Sequence, residues 1–109
     1  MFAEEERIYG QYYLLDHEGF YGICYKKGDS YIGRNPQFSD VVEYGISDSI
    51  LLFRSRFSDS STVLIGINMK LDDGYSEVSD ITIDAQQLTA VYKKLLQKGL
   101  KKVDLPHAK

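Results

Sequence analysis

The sequence predicts an α+β fold: an antiparallel sheet of about six to seven short strands, mostly in meander order, packed by one C-terminal amphipathic helix. Three observations carry this. Leu88, Val91, Tyr92, Leu95 and Leu96 recur at i, i+3, i+4, i+7 and i+8, one stripe of a 3.6-residue period. Residues 50–57 and 62–69 instead alternate with period two, the pattern of half-buried strands. Aromatic residues reach 13%, with nine Tyr and no Trp, and such side chains suit a pleated surface.

Taken in order, Arg7 to Leu15 (RIYGQYYLL) has strand density and leads into turn chemistry at Asp16-His17-Glu18-Gly19. The return strand Phe20 to Lys26 places Tyr21, Ile23 and Tyr25 on one face and Phe20, Gly22 and Cys24 on the other. Lys27-Gly28-Asp29 turns the chain into a short third strand, Ser30 to Gly33. Pro36 cannot donate to a ladder and biases Asn35 away from helix, so residues 34–37 form a loop. Val41 to Gly45 is a short strand candidate. Ile50 to Phe57 sets Leu51, Phe53 and Phe57 against Leu52, Arg54 and Arg56. Thr62 to Met69 carries Val63, Ile65, Ile67 and Met69 on one face, which predicts the central strand and the seat of the helix. Asp72-Asp73-Gly74 turns into a last strand at Glu77 to Ile83. The helix follows, with Asp84 as N-cap, Gln87 completing a capping box, and Lys93, Lys94 and Lys98 near its negative end. Gly99 stops it.

A chain of 109 residues suits a single domain, 1–109, with residues 100–109 as a loosely ordered tail that docks through Leu100 and Val103. Cys24 is the only cysteine, so no intrachain disulfide forms. The acidic start MFAEEERIYG has no apolar signal region, and no run approaches the ~20 apolar residues of a membrane span. These features point to the cytoplasm. Net charge is −3, unevenly distributed: residues 29–84 hold ten acids and four bases, whereas residues 85–109 hold one acid and six bases. An acidic body repels nucleic acid and anionic lipid and attracts a cationic protein. The expected partner is therefore a basic protein, with no nucleic acid and no membrane, bound by a monomer or weak dimer.

Catalytic motifs are sparse. Cys24 and His17 are the minimum for a thiolate nucleophile, but Cys24 falls mid-strand beside Phe20 and His17 in a turn, which favours an inert thiol. His17 and His107 are isolated, and Asp72-Asp73-Gly74 lacks the alternating ligands of a calcium loop, so neither metal nor cofactor is expected. With no phosphate loop, nucleophile elbow or dinucleotide fingerprint, the chain does not read as an enzyme. Residues 18–25 have a passing likeness to the aromatic strand motif of RNA-recognition domains, but Glu18 stands where that motif needs a base.

In length and element order, strands followed by a C-terminal helix resemble the pleckstrin-homology architecture. That resemblance implies a lipid-, peptide- or adaptor-type module as an alternative function, although the first turn is acidic where a phosphoinositide needs Lys or Arg. The whole-chain profile resembles the immunity proteins of bacterial toxin systems, including contact-dependent growth inhibition. The carboxylates Asp40, Glu43, Asp48, Asp59, Asp72, Asp73, Glu77 and Asp80 carry it, beside Tyr44 and Tyr75. The resemblance implies a protein that blocks the active site of a cognate toxin domain, often a cationic nuclease, with carboxylates in the places of substrate phosphates. The expected binding residues are Asp16, Glu18, Asp40, Glu43, Tyr44, Asp59, Asp72, Asp73, Tyr75 and Glu77. In a simple meander the turns at Asp16 and Glu18, Asp40 and Asp59 share one end, which would be the more negative. Those at Asp29, Asp48 and Asp72 to Glu77 share the other.

Overall fold

The strands pair into two antiparallel sheets rather than one. The computed structural model describes residues 5–17 and 19–103. Strands β1 (Glu5–Tyr9), β2 (Tyr12–His17), β3 (Phe20–Lys27) and β4 (Ser30–Gly33) pair antiparallel in that order. Strands β5 (Ser39–Ser47), β6 (Ile50–Phe57) and β7 (Thr62–Asn68) form a second antiparallel sheet, extended beyond β5 by the two-residue β8 (Lys101–Lys102). The main core lies between the sheets. Tyr12, Leu14, Tyr21 and Ile23 from the first meet Val41, Tyr44, Leu51, Phe53 and Ile67 from the second. On the second sheet's other face, Ile50, Leu52 and Leu64 receive Leu88, Val91, Tyr92 and Leu95 of the long helix α2 (Ala85–Lys98). The layers therefore run sheet, sheet, helix, and β6 is covered on both faces. Its residues Leu51, Leu52 and Phe53 are all 0% exposed, and each such side chain contributes about 1.5–3 kcal/mol.

The expected α+β architecture is observed, but several expected elements are placed differently. Gly10, at φ 56°, breaks the anticipated first strand into the β1–β2 hairpin. That extra turn and the split into two sheets remove the single meander, so the turns do not sort into two common ends as expected. Strand β5 runs nine residues and is mostly buried, where only Val41 to Gly45 was anticipated. A bulge between Val41 and Glu43 shifts the register, so that Val41 and Tyr44 both face the inter-sheet core while Glu43 turns to the helix side. Strand β7 is an edge strand rather than the centre, since it pairs only with β6 in the order β7-β6-β5-β8. The expected strand Glu77 to Ile83 is instead the single-turn helix α1 (Val78–Ile81), which buries Ile81. Only Thr82 bridges to Ile67.

The helix starts and stops where the sequence predicts. Asp84 accepts a hydrogen bond from the Gln87 backbone N–H at 2.8 Å, and Gly99, at φ 96°, donates its N–H to Leu95 O. Its stripe is narrower than expected: Val91 and Leu95 are buried, whereas Leu96 is 57% exposed. Gly66 and Gly45 form the floor beneath it. A Cβ at Gly66 would lie 2.6 Å from Ile83 Cδ1, and one at Gly45 would lie 2.9 Å from Leu100 Cδ2, so missing side chains set the close approach. Leu100 and Val103 do pack against the two cores, and Val103 N–H donates to Val42 O; the rest of the expected loose tail, residues 104–109, lies outside the described residues.

Leu95→Ala should lower stability by about 2–5 kcal/mol, and Leu96→Ala should leave it nearly unchanged. Asp84→Ala should cost around 1 kcal/mol as a lost N-cap. Urea midpoints of the three variants test this division of the helix face.

Candidate protein-binding surface

The residues expected to bind a partner fall into two chemical groups, those consumed inside the fold and those presented by it. Asp40 is 8% exposed, and its Oδ1 accepts the Tyr21 backbone N–H at 2.9 Å. It works beside Asn35, whose Oδ1 accepts the Ile23 N–H at 3.0 Å. Strand β4 pairs only with the Cys24 to Lys27 half of β3, and these two side chains occupy the remaining edge. Glu43 is 5% exposed and accepts from Arg54 Nε at 3.0 Å and from Lys102 Nζ. Burial raises its carboxyl pKa, and the hydrogen bonds from Lys102 and Arg54 more than reverse this, leaving it below the usual range. Tyr44 is a core residue at 7% exposure. Asp16 is half-buried in β2, and Glu18 lies outside the described residues. Asp59 sits alone in the β6–β7 turn, where hydrogen bonds from the Ser61 hydroxyl and backbone hold its carboxyl below the usual range.

Four expected residues do come together, in the segment from Leu71 to Glu77 that connects β7 to α1. Asp72 is the anchor, with its side chain 0% exposed. Arg34 grips it with a two-pronged fork, Nη2 to Oδ1 at 2.5 Å and Nε to Oδ2 at 3.0 Å. Tyr12 Oη donates to Oδ2 at 2.8 Å, and Gly74 N–H donates to Oδ1 at 2.9 Å. Burial first, and the hydrogen bond to Asp72 second, hold the Tyr12 phenol well above its ordinary pKa, so it remains a donor. Arg34 also donates to Ser76 O at 3.1 Å, and Lys27 Nζ to Asp73 O at 2.7 Å. The segment is thereby fixed to the first sheet at both of its ends.

This anchoring leaves the rest of the segment facing water. Asp73 Oδ1 accepts the N–H groups of Tyr75 and Ser76 at 2.8 and 3.0 Å, which folds the backbone into a tight turn and holds its carboxyl below the usual range. Tyr75 is 78% exposed, with Lys27 Nζ 3.9 Å from its ring centroid, and Leu71 is 57% exposed. Asp73, Glu77 and, in α1, Asp80 are also exposed. The result is an exposed aromatic side chain on a hydrogen-bonded turn, with the Lys27 ammonium over its ring and exposed carboxylates before and after it in the chain. Arg34, Tyr12 and Lys27 were not legible as parts of this surface, because each lies more than 35 residues from its partner in the chain and no local pattern marks the pairing.

The thiol and metal expectations also have positions in the fold. Cys24 is half-buried on the outer face of the first sheet, in a groove of about 390 Å³ with Phe20 and Phe38. Burial pushes its thiol up to about 11, with Arg34 opposing, the reverse of an activated nucleophile. Among the described residues, no three His, Cys, Asp or Glu side chains group as metal ligands. No helix among them is long and apolar enough to cross a membrane.

Arg34→Met should destabilise by about 3–5 kcal/mol, because it leaves the buried Asp72 carboxylate unpaired. Urea melts give the loss, and amide exchange at Gly74 to Ser76 should accelerate with it. For Glu43, whose pKa is lower folded than unfolded, the stabilising contribution is present above the unfolded value of about 4.3 and disappears as pH falls through the folded value. The stability difference between wild type and Glu43→Gln should therefore be greatest at neutral pH and close on acidification, measured by urea melts at pH 7 and pH 3. No protein-family model, curated protein or solved structure matches the chain.

Proposed function

We propose that this protein is an immunity-type binding protein that neutralises a cognate bacterial toxin domain, and that the turn from Leu71 to Asp80 is its contact surface. The observation that carries the reading is the buried Arg34–Asp72–Tyr12 network, which holds in place a segment that exposes Tyr75 together with Asp73, Glu77 and Asp80. A turn that is already ordered loses little entropy on binding, and a rigid tyrosine is an efficient anchor. Its carboxylates complement a cationic site of the kind that handles phosphates, and they speed encounter with it. Asp40, Glu43 and Tyr44 are engaged inside the fold and lie outside the proposed contact. Toxin neutralisation by occlusion requires no catalytic group of its own, so the protein acts as a binder and not as an enzyme.

The test is co-expression with candidate toxin domains encoded by neighbouring genes, followed by binding measurements on any pair that restores growth. Tyr75→Ala should weaken binding by about 2 kcal/mol or more. The double variant Glu77→Lys with Asp80→Lys should slow association most at low salt, while Asp59→Lys, on a different turn, should have little effect. Rescue that is indifferent to Tyr75, Glu77 and Asp80 would remove this surface from the proposal. Binding to anionic vesicles, with no toxin bound, would favour the lipid-binding alternative instead.

A further inference from the structure

A cleft of about 430 Å³ opens between α2 and the β5–β8 side of the second sheet, within the range of small-molecule sites. It shares no residue with the Leu71 to Asp80 surface. Its polar floor is Glu43, Arg54 and Lys102, and its apolar walls are Val42, Leu96 and Leu100.

The floor is built around one carboxylate and two cations. The Glu43 side chain is 7% exposed and has both oxygens engaged, Oε2 by Arg54 Nε at 3.0 Å and Oε1 by Lys102 Nζ. Arg54 is oriented further by Nη2, which donates to Tyr92 Oη at 3.0 Å, and by Nη1, which donates to Thr62 Oγ1 at 3.4 Å. A guanidinium has five N–H donors and an ammonium three, so both cations keep donors beyond those that Glu43, Tyr92 and Thr62 use. Among the described residues Glu43 is the only carboxylate lining the cleft, and with Arg54 and Lys102 beside it their charges leave one positive in excess. Beside that charge, Leu96 leaves apolar surface open to water at 57% exposure.

We propose that this cleft is a binding site for a free aliphatic carboxylate, its headgroup shared between Arg54 and Lys102 and its chain lying along Leu96, Leu100 and Val42. Glu43 is a positioning residue: it fixes the two cations at a spacing that a second carboxylate can bridge. The α2 wall supplies the apolar contact that a bare anion cannot use, so the site selects for a charged head and an apolar body together. The cleft is open to solvent along one side, and its volume of about 430 Å³ is that of a small molecule rather than of a long segment of another chain.

The experiment is a titration of the isotope-labelled full-length protein with octanoate, followed by amide NMR shifts. Octanoate should move the amides of Val42, Leu96, Leu100 and Lys102 in a saturable way. Octanol, with the same chain and no charge, should bind at least about tenfold more weakly. Lys102→Met, at a side chain 77% exposed, should keep the fold and reduce octanoate affinity by a similar factor of about ten. Equal binding of octanol, shifts confined to other regions, no saturable shift, or an unchanged Lys102→Met affinity would each overturn the proposal. Tighter binding of N-acetyl-Leu-Glu-amide than of octanoate would overturn the assignment to a free carboxylate and give the site to a partner chain.

Discussion

The Asp72 carboxylate, withdrawn from water and held by Arg34, Tyr12 and the Gly74 amide, is the constraint on which the arrangement of this molecule turns. It joins the chain after the second sheet to β2 and to the end of β4, which no strand pairing could do. Removing two charges from water costs several kcal/mol per ion, and only near-complete hydrogen bonding returns it. That demand makes the junction selective. A displaced β7–α1 connection would leave a buried charge without its partner, so the pair specifies one position for the segment more than it adds net stability.

The same chemistry divides the sixteen acidic residues of this chain by role. Asp40 stands in for a strand at the edge of β3, Glu43 organises two cations beneath the long helix, and Asp72 ties the sheets together. Asp73 spends one oxygen, Oδ1, on the turn that follows it. What reaches solvent as charge is therefore fewer carboxylates than the composition suggests, and they are placed by those inside. Surface and interior electrostatics are coupled through neighbouring residues, most directly at Asp72 and Asp73.

The long helix was legible because every signal that defines it is local: a cap, a 3.6-residue stripe and a terminal glycine within sixteen residues. Strands β3, β6 and β7 were legible from alternation for the same reason. What alternation does not encode is which strands share a sheet. Leu51 and Leu52 are both fully buried because β6 is covered by a sheet on one side and a helix on the other, and that placement also makes β7 an edge despite its richer run of Val and Ile. The segment 78–81 reads as strand-like, yet its backbone closes into a single helical turn that buries Ile81. Of the candidate surface, Asp73, Tyr75 and Glu77 were legible from composition near a turn. The burial of Asp40, Glu43 and Asp72 was not, since whether a carboxylate finds Arg34, Arg54 or a backbone amide depends on contacts many residues away.

The two edge caps on β3 have a consequence for association between chains. An unpaired strand edge is a row of donors and acceptors on which another strand can grow. At Tyr21 and Ile23 those donors already point into Asp40 and Asn35, and Ile23 O takes the Arg34 N–H, so an incoming strand finds no vacant ladder there. Because Asn35 lies in the connection that leads into β5 and Asp40 in β5 itself, the edge is guarded for as long as the two sheets are packed together. Separation of the sheets would bare it, which links resistance to aggregation in this chain to the integrity of the inter-sheet junction rather than to the sequence of β3 itself.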